Sequence, residues 1–163
     1  MKHTIAAIVE NKPGVLVRIA GLFSRRGFNI DSLTVGKTDN PAYSRMTITV
    51  RADEVVLEQV TKQLNKLVNV IRVSELKPES SVGRELAIIK VNAKKETRSE
   101  IMQIVSVFRA TIIDVSPRSV IVEVTGGEGK IDAIERLLRQ FGIMELARTG
   151  KVSMVRGSKV IKT

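Results

Sequence analysis

The sequence contains no cysteine, so neither disulfide bonds nor thiolate metal sites can form in this chain. It also lacks any apolar run of about 18 residues, the length that crosses a bilayer as a helix. The apolar stretch near the start is interrupted at Glu10, and no small-residue cleavage site of a secretory signal follows it. These absences predict a cytoplasmic protein without membrane association.

Aromatic residues are scarce, at 3% of the chain. Modules that stack nucleic-acid bases need exposed aromatic rings, so this scarcity weighs against such a role. Lys and Arg nevertheless outnumber Asp and Glu by 27 to 17, and the net charge of +10 favours an anionic partner. The densest basic group is either a contact for an acidic partner or a solvated stretch; it comprises Arg148, Lys151, Arg156, Lys159 and Lys162.

Groups that perform catalysis are also missing. The single histidine, His3, stands at a strand start, and no metalloprotease, nucleophile-elbow or phosphate-loop motif occurs. The glycine-rich loop at 126–129 lacks the Lys and Ser/Thr that complete a phosphate loop. We therefore predict no catalytic residue and no metal-binding residue in this chain.

The first half of the chain alternates between the two-residue period of strands and the 3.6-residue period of helices. Leu16, Ile19 and Phe23 lie on one helical stripe, which ends at Gly27, and Asp53 is suited to cap a second helix. The strict alternation of residues 43–51 indicates a half-buried strand. Strands are predicted at 3–9, 28–37, 43–51 and 68–76, and helices at 14–26 and after Asp53.

The second half repeats this order after a polar stretch, 78–83, whose Pro, Ser and Gly are typical of a linker. Thr97 and Glu100 have the spacing of a capping box at the start of its first helix. Strands are predicted at 84–93, 112–115, 119–125 and 143–147. The domain boundaries that follow are 1–77 for the first domain and 84–163 for the second.

The predicted fold class is therefore α+β, with two ferredoxin-like βαββαβ modules. Each module consists of an antiparallel sheet with its helices on one face. A module of about 75 residues has only a marginal core by itself. We therefore expect a homodimer, since pairing that extends a sheet adds buried surface.

The turn N-K-P-G at residues 11–14, between the first strand and the first helix, has two interpretations. In one, Asn caps the helix, Pro is its first residue and Gly eases the turn. In the other, the turn holds a small amino acid, because Gly14 admits a ligand to the backbone and the first helical amides suit a carboxylate. Asn11 can then donate and accept, and Val15 and Leu16 can meet an apolar side chain. The residues alone leave both interpretations open.

The sequence around this turn resembles the ACT-domain family of amino-acid-sensing regulatory modules. The run N-K-P-G-V-L-V-R-I-A-G-L-F-S-R-R-G-F-N-I-D-S-L-T-V at 11–35 and the pattern T-D-N-P-x-x-S-R-M-T-I-T-V at 38–50 are more specific. They resemble the small regulatory subunits of acetolactate synthase. Further similar segments are K-Q-L-N-K-L-V-N-V-I-R-V at 62–73, S-V-G-R-E-L at 81–86, I-I-D-V at 112–115 and A-R-T-G at 147–150. The resemblance covers essentially the whole chain.

This resemblance implies a non-catalytic subunit that binds and activates the large catalytic subunit of acetolactate synthase. It implies feedback inhibition of branched-chain amino acid biosynthesis by valine, or by leucine or isoleucine. The chain then carries no cofactor, and thiamine diphosphate, Mg²⁺ and FAD are expected only on the catalytic subunit. The first domain, 1–77, is implied to be an ACT regulatory domain that pairs with the same domain of a second chain.

The resemblance also implies an effector site at the interface between two ACT modules. The turn of one chain faces the segment after the first helix of the other. The implied residues are Asn11, Gly14, Val15 and Leu16 from one chain and Asn29 and Ile30 from its partner. The sequence departs from the family pattern at Val17, where valine-sensitive bacterial members often carry Ser, and this leaves the identity of the effector open.

Three alternatives remain. RNA-recognition motifs share the βαββαβ order, but the third strand here carries Met46, Ile48 and Val50 on one face and no paired aromatics. A transcription regulator or a free-standing amino-acid sensor with an ACT module is the second. The third is an enzyme, against which the missing catalytic groups argue.

Overall fold

The computed structural model describes residues 1–162, and these form two compact units. The first consists of Met1–Val82 together with the segment from Lys151, and the second of Gly83–Gly150. Within residues 1–162, none of the helices has the length and apolar character needed to cross a bilayer.

The first unit has the predicted βαββαβ order. Its sheet is antiparallel, with the strand order β2-β3-β1-β4, and both helices contribute to the core on one face. This confirms the ferredoxin-like arrangement. The elements are β1 (Lys2–Glu10), α1 (Val15–Arg25), β2 (Ile30–Lys37), β3 (Tyr43–Arg51), α2 (Glu54–Asn65) and β4 (Val70–Glu75).

Local sequence signals explain where these helices begin and end. The Asp53 carboxylate accepts a hydrogen bond from the backbone N–H of Val56 at 2.8 Å, which confirms the predicted cap of α2. Gly27 adopts a left-handed conformation with φ 72° just after α1, which suits a residue without a Cβ. The predicted apolar stripe of α1 is partly wrong, because Leu16 is 46% exposed while Val15 is buried.

The second unit repeats the same order, as predicted. Its path of strands is β6-β7-β5-β8, and its helices pack on one face of an antiparallel sheet. The elements are β5 (Ser81–Asn92), α3 (Arg98–Val107), β6 (Thr111–Val115), β7 (Ser119–Gly126), α4 (Glu128–Leu138) and β8 (Ile143–Arg148).

Two local expectations for the second half differ from the structure. The capping box is wrong: Thr97 precedes α3 but forms no side-chain cap, and its hydroxyl donates instead to the carbonyl oxygen of Lys94 at 3.3 Å. The reason is that Thr97 itself has helical backbone angles, whereas a capping residue normally lies in the extended region. The expected loop at 126–129 is short, since β7 includes Gly126 and α4 begins at Glu128.

The expected linker, 78–83, is also more regular than its composition indicates. Pro78–Ser80 forms a single 3₁₀ turn, and β5 begins directly after it at Ser81. The hydroxyl of Ser81 donates to the carbonyl oxygen of Lys77 at 2.7 Å, which fixes the turn. Proline at the start of such a turn has no N–H to leave unpaired.

The segment from Lys151 was expected within a second domain extending over 84–163, but the structure groups it with the first unit. Here Val152–Val155 forms a further strand, β9, which pairs with β5. The backbone N–H of Arg156 donates to the carbonyl oxygen of Ser80 at 2.8 Å. A strand of four residues carries too little periodicity to be recognised in the sequence.

This segment also contacts the face of the first sheet that lies opposite its helices. Lys151 Nζ donates to the hydroxyl of Thr4 at 3.2 Å, and Arg45 donates to the carbonyl oxygen of Ser153 at 2.8 Å. On the same face, Thr47 and Thr49 are each only 2% exposed. The alternation of β3 predicted a half-buried strand, but β3 is buried on both faces.

Arg109, directly after α3, has a positive φ of 52°, a conformation that normally favours glycine. We expect Arg109→Gly to raise the free energy of unfolding by about 0.5–1 kcal/mol, because the left-handed conformation costs a non-glycine residue about 1–2 kcal/mol. Urea denaturation measures this change. Arg136→Gly in α4 is the control and should lower stability by about 1 kcal/mol. A loss of stability in Arg109→Gly contradicts the argument.

Arg148, a member of the densest basic group of the sequence, lies within an ion-pair network in the second unit. It pairs with Glu85, with Asp132 at 2.7 Å and with Glu135 at 3.4 Å. Burial acts to lower the pKa of Arg148, but hydrogen bonds to Asp132 and Glu85 outweigh it and raise the pKa. Arg148 therefore stabilises this unit and does not extend the basic surface.

Candidate functional site

The turn after β1 is held against the turn between β2 and β3. The backbone N–H of Asn11 donates to the carbonyl oxygen of Ala42 at 2.8 Å, and Asn11 Nδ2 donates to that of Pro41 at 3.0 Å. Because the Nδ2 group is engaged in this way, the carbonyl Oδ1 of Asn11 is left as the side-chain acceptor. Asn11 remains exposed.

The residue that precedes α1 is Gly14, in the left-handed conformation with φ 84°. No side chain caps this helix. The interpretation of Asn11 as helix cap and Pro13 as first helical residue is therefore wrong, since α1 begins only at Val15. A Cβ added to Gly14 meets no atom within 4 Å. The position therefore favours glycine because of its backbone angle and not because of crowding.

The exposed start of α1 combines polar and apolar groups. The first turn of any helix offers backbone N–H groups without intrahelical acceptors, and the helix dipole there favours an anion. The side chain of Leu16 is 46% exposed beside these amides. Val15 is 5% exposed, so its side chain belongs to the core and only its backbone can face a ligand.

A hydrogen-bond network that sequence reasoning missed fixes the end of β1. Asn69, in the loop before β4, donates through Nδ2 to the Glu10 carboxylate at 2.9 Å and accepts from Arg18 at 2.8 Å. The hydrogen bonds from Asn69 and Lys12 hold the pKa of Glu10 below its usual range. The one sequence signal is that Asn69 is a poor strand former inside the predicted strand 68–76.

Asn29 and Ile30 lie just beyond the other end of α1. Asn29 is exposed, and Ile30 opens β2 opposite Val50 and packs partly against the core. The eleven residues of α1 span about 16 Å, so one chain does not bring these two residues to the turn that contains Asn11. Any site that uses both groups must be completed by a second copy.

The outer edge of β2 is one of the two sheet edges at which such pairing can occur, and β4 forms the other. The strand order β2-β3-β1-β4 leaves β2 at one side of the sheet, and its last residues are exposed. An edge strand presents unpaired backbone groups to another chain. The turn that holds Asn11 is bonded to Pro41 and Ala42, a few residues beyond the end of this strand.

Other kinds of site find little support. In the part of the chain that the structure describes, no three His, Asp or Glu side chains cluster so that they could hold a metal ion. Because Thr47 and Thr49 on the second face of β3 are buried, that strand offers no platform of exposed aromatics for nucleic-acid bases.

The fold and this turn define the class of protein as one with an ACT-type regulatory module followed by a second ferredoxin-like module. Residues 5–72 match the family model described as an acetohydroxyacid synthase small subunit-like ACT domain. Residues 84–157 match the model described as the small subunit of acetolactate synthase.

Whole-chain comparisons make the assignment specific. The chain is 63% identical to a probable acetolactate synthase small subunit of Archaeoglobus fulgidus, over 98% of this chain and 99% of that protein. It is 58% identical to a probable acetolactate synthase small subunit of Methanothermobacter thermautotrophicus, over 98% and 95%. The crystal structure of the acetolactate synthase small subunit of Thermotoga maritima matches with a TM-score of 0.91 and 45% identity, over 98% and 99%. The chain belongs to the acetolactate synthase small subunit family.

Proposed function

We propose that this chain is a non-catalytic subunit that binds the large catalytic subunit of acetolactate synthase, raises its activity and makes it sensitive to a branched-chain amino acid. Family membership supports the partner. The observation that carries the regulatory part is the turn at 11–14, which ends in a left-handed glycine before an uncapped helix. Thiamine diphosphate, Mg²⁺ and FAD are proposed to reside on the catalytic subunit alone.

The proposed effector site lies between two copies of the first unit. Backbone amides of Gly14, Val15 and Leu16 bind the effector carboxylate, while Asn11 Oδ1 accepts from its ammonium group. The exposed Leu16 side chain contacts its apolar side chain. Asn29 and Ile30 of the second chain close the site.

Antiparallel pairing of two β2 edges supports this geometry. Such pairing brings the start of one β2, with Ile30, alongside the end of the other, at Lys37. The turn after β1 is bonded to residues only a short distance beyond Lys37. Asn29 of one chain and Asn11 of the other thereby approach each other, although α1 separates them within each chain.

The effector acts by favouring one arrangement of the paired units. A ligand that contacts both chains binds more tightly to the arrangement in which both halves of its site meet. The difference in affinity between arrangements sets the coupling free energy, which for coupled sites is typically about 1–3 kcal/mol, a 5- to 150-fold change in affinity. Valine is the proposed effector. Leucine and isoleucine are the alternative effectors, because Val17 departs from the usual family pattern.

Titration of the purified chain into its catalytic subunit tests the proposal. We expect acetolactate formation to rise to a plateau and then to fall when valine is added. The catalytic subunit alone should show neither response. Leucine, isoleucine and the D-enantiomer of valine serve as matched ligands. If the rate is the same with and without this chain, the proposed function is wrong; if it rises but no amino acid inhibits it, only the regulatory part is.

A further inference from the structure

A second candidate site lies within the first unit, on the sheet face away from the helices. An open cavity of about 370 Å³ is bounded by Ile8 and Arg45 on the sheet and by the turn residues Thr38 and Asp39. Its outer wall comes from the last two residues of β9, Met154 and Val155, and from the segment after it, Gly157 and residues 159–162. We call this the sheet-face cavity. It contains none of the proposed effector residues.

The floor of the sheet-face cavity places a cation beside an apolar side chain. Arg45 on β3 lies directly opposite Ile8 on β1, so the two side chains share one face at neighbouring positions. Ile8 is only 2% exposed, whereas Met154 and Val160 in the outer wall are more than half exposed. The cavity therefore has a floor that is apolar at Ile8 and cationic at Arg45, and an open apolar rim.

Within residues 1–162, Arg45 forms no ion pair with a carboxylate. Its guanidinium donates to the carbonyl oxygen of Ser153 at 2.8 Å, but its Nε is buried without a hydrogen-bond partner in residues 1–162. Burial lowers the pKa of Arg45, and no carboxylate contributes to offset it. Arg45 is half-buried, so part of its charge loses the solvation of water, and a bound anion reduces that cost.

The remaining charges of the cavity have the same sign as Arg45. Lys159 and Lys162 line the outer wall and are exposed, and Asp39 supplies the one carboxylate among the lining residues that the structure describes. Three cations against one anion attract a ligand of negative charge. They repel an ammonium group, so this cavity disfavours the zwitterionic amino acids that suit the turn at 11–14.

The outer wall is held by hydrogen bonds from side chains to backbone carbonyl oxygens. Ser153 Oγ donates to the carbonyl oxygen of Val82 at 2.9 Å, and Arg156 Nε donates to that of Ser81 at 3.2 Å. Gly157 then adopts a left-handed conformation with φ 78°, which reverses the chain so that the following residues line the cavity.

We propose that the sheet-face cavity binds an aliphatic monocarboxylate without an amino group, with its carboxylate at Arg45 and its chain against Ile8, Met154 and Val160. Its volume lies near the lower end of the range for small-molecule sites, about 300–1,000 Å³. Both 2-oxo acids and short fatty acids have this chemistry. The inference is independent of the proposed regulatory function.

Binding of matched probes to the full chain tests the site. Calorimetry and saturation-transfer NMR with 4-methylpentanoate should show saturable binding, and the uncharged 4-methylpentanamide should bind at least about tenfold more weakly. Comparison of 4-methyl-2-oxopentanoate with octanoate shows whether the site prefers a 2-oxo acid or a fatty acid, and a preference for either supports the site. Equal binding of acid and amide, absence of saturable binding, or competition by valine overturns the proposal.

Substitutions locate the binding. Arg45→Gln keeps a polar side chain but removes the charge, and should raise the dissociation constant at least about tenfold. Arg45→Lys should retain part of the affinity, and Lys95→Gln, an exposed position in the second unit, should have no effect. Val160→Asp adds a repelling carboxylate at an exposed position, with Val160→Asn as its neutral control. Unchanged affinity in both Arg45→Gln and Val160→Asp shows that the probe binds elsewhere and overturns the assignment.

Discussion

Gly14→Asp is expected to abolish inhibition by valine while activation of the catalytic subunit persists. The proposed site brings the effector carboxylate to the backbone at Gly14, where an aspartate side chain adds a second negative charge. Space does not prevent the substitution, because a Cβ at this position meets no atom within 4 Å. Valine titrations of the assembled enzyme measure the inhibition, and calorimetry measures binding to this chain.

Gly14→Asn is the matched control, because it has nearly the same shape and lacks the charge. Asp and Asn both tolerate the left-handed conformation that Gly14 adopts, so the backbone cost is similar in the two variants. We expect the affinity for valine to be at least about tenfold lower in Gly14→Asp than in Gly14→Asn, as for loss of a charge-assisted contact. Equal affinities exclude a carboxylate bound at this turn.

Arg148→Ala should lower the free energy of unfolding by about 2–3 kcal/mol. The variant removes the cation that pairs with Glu85, whose side chain is 8% exposed, while Glu135 keeps its ion pair with Arg139. Breaking a fully buried pair costs about 3–5 kcal/mol, and the 26% exposure of Arg148 reduces that figure. For a unit of this size the melting temperature should fall by about 10 °C or more.

The exposed Arg136 on α4 provides the comparison, since its replacement by Ala should change stability by less than about 0.5 kcal/mol. A second variant, Arg148→Ala with Glu85→Gln, removes one unpaired charge and should recover part of the loss. If Arg148→Ala is as stable as Arg136→Ala, the ion pairs of Arg148 contribute nothing measurable to the stability of this unit.

Sequence predicted the fold wherever a local pattern and the tertiary structure agree. The cap at Asp53, the helix end at Gly27 and the alternation of β3 through Met46, Ile48 and Val50 all appear as expected. These signals depend on residues within one turn or one strand of each other. Repetition of the same order in both halves then determines the two sheets.

Features that depend on distant residues were not predictable in this way. The alternation of β3 predicts that Thr47 and Thr49 are exposed, whereas both are buried. The contact of Lys151 with Thr4 joins residues separated by 147 positions. Composition suggested only a basic stretch, since β9 is too short to give a period.

The candidate site shows the same division. A glycine at position 14 indicated an unusual turn from the sequence alone, because glycine adopts backbone angles that few other residues reach. The structure shows such an angle there, with φ 84°. The support from Asn69 was not, since Asn69 and Arg18 are separated by 51 positions. The turn could be recognised, but the residues that hold it in place could not.

The assignment of the segment from Lys151 to the first unit has a consequence for the order of events during translation. Residues 83–150 form one uninterrupted stretch and can fold as soon as they leave the ribosome. The unit that is synthesised first must wait for β9 before it is complete. A released chain that ends before Lys151 therefore contains every residue of the second unit but lacks part of the first, and the buried threonines of β3 should then be accessible to water.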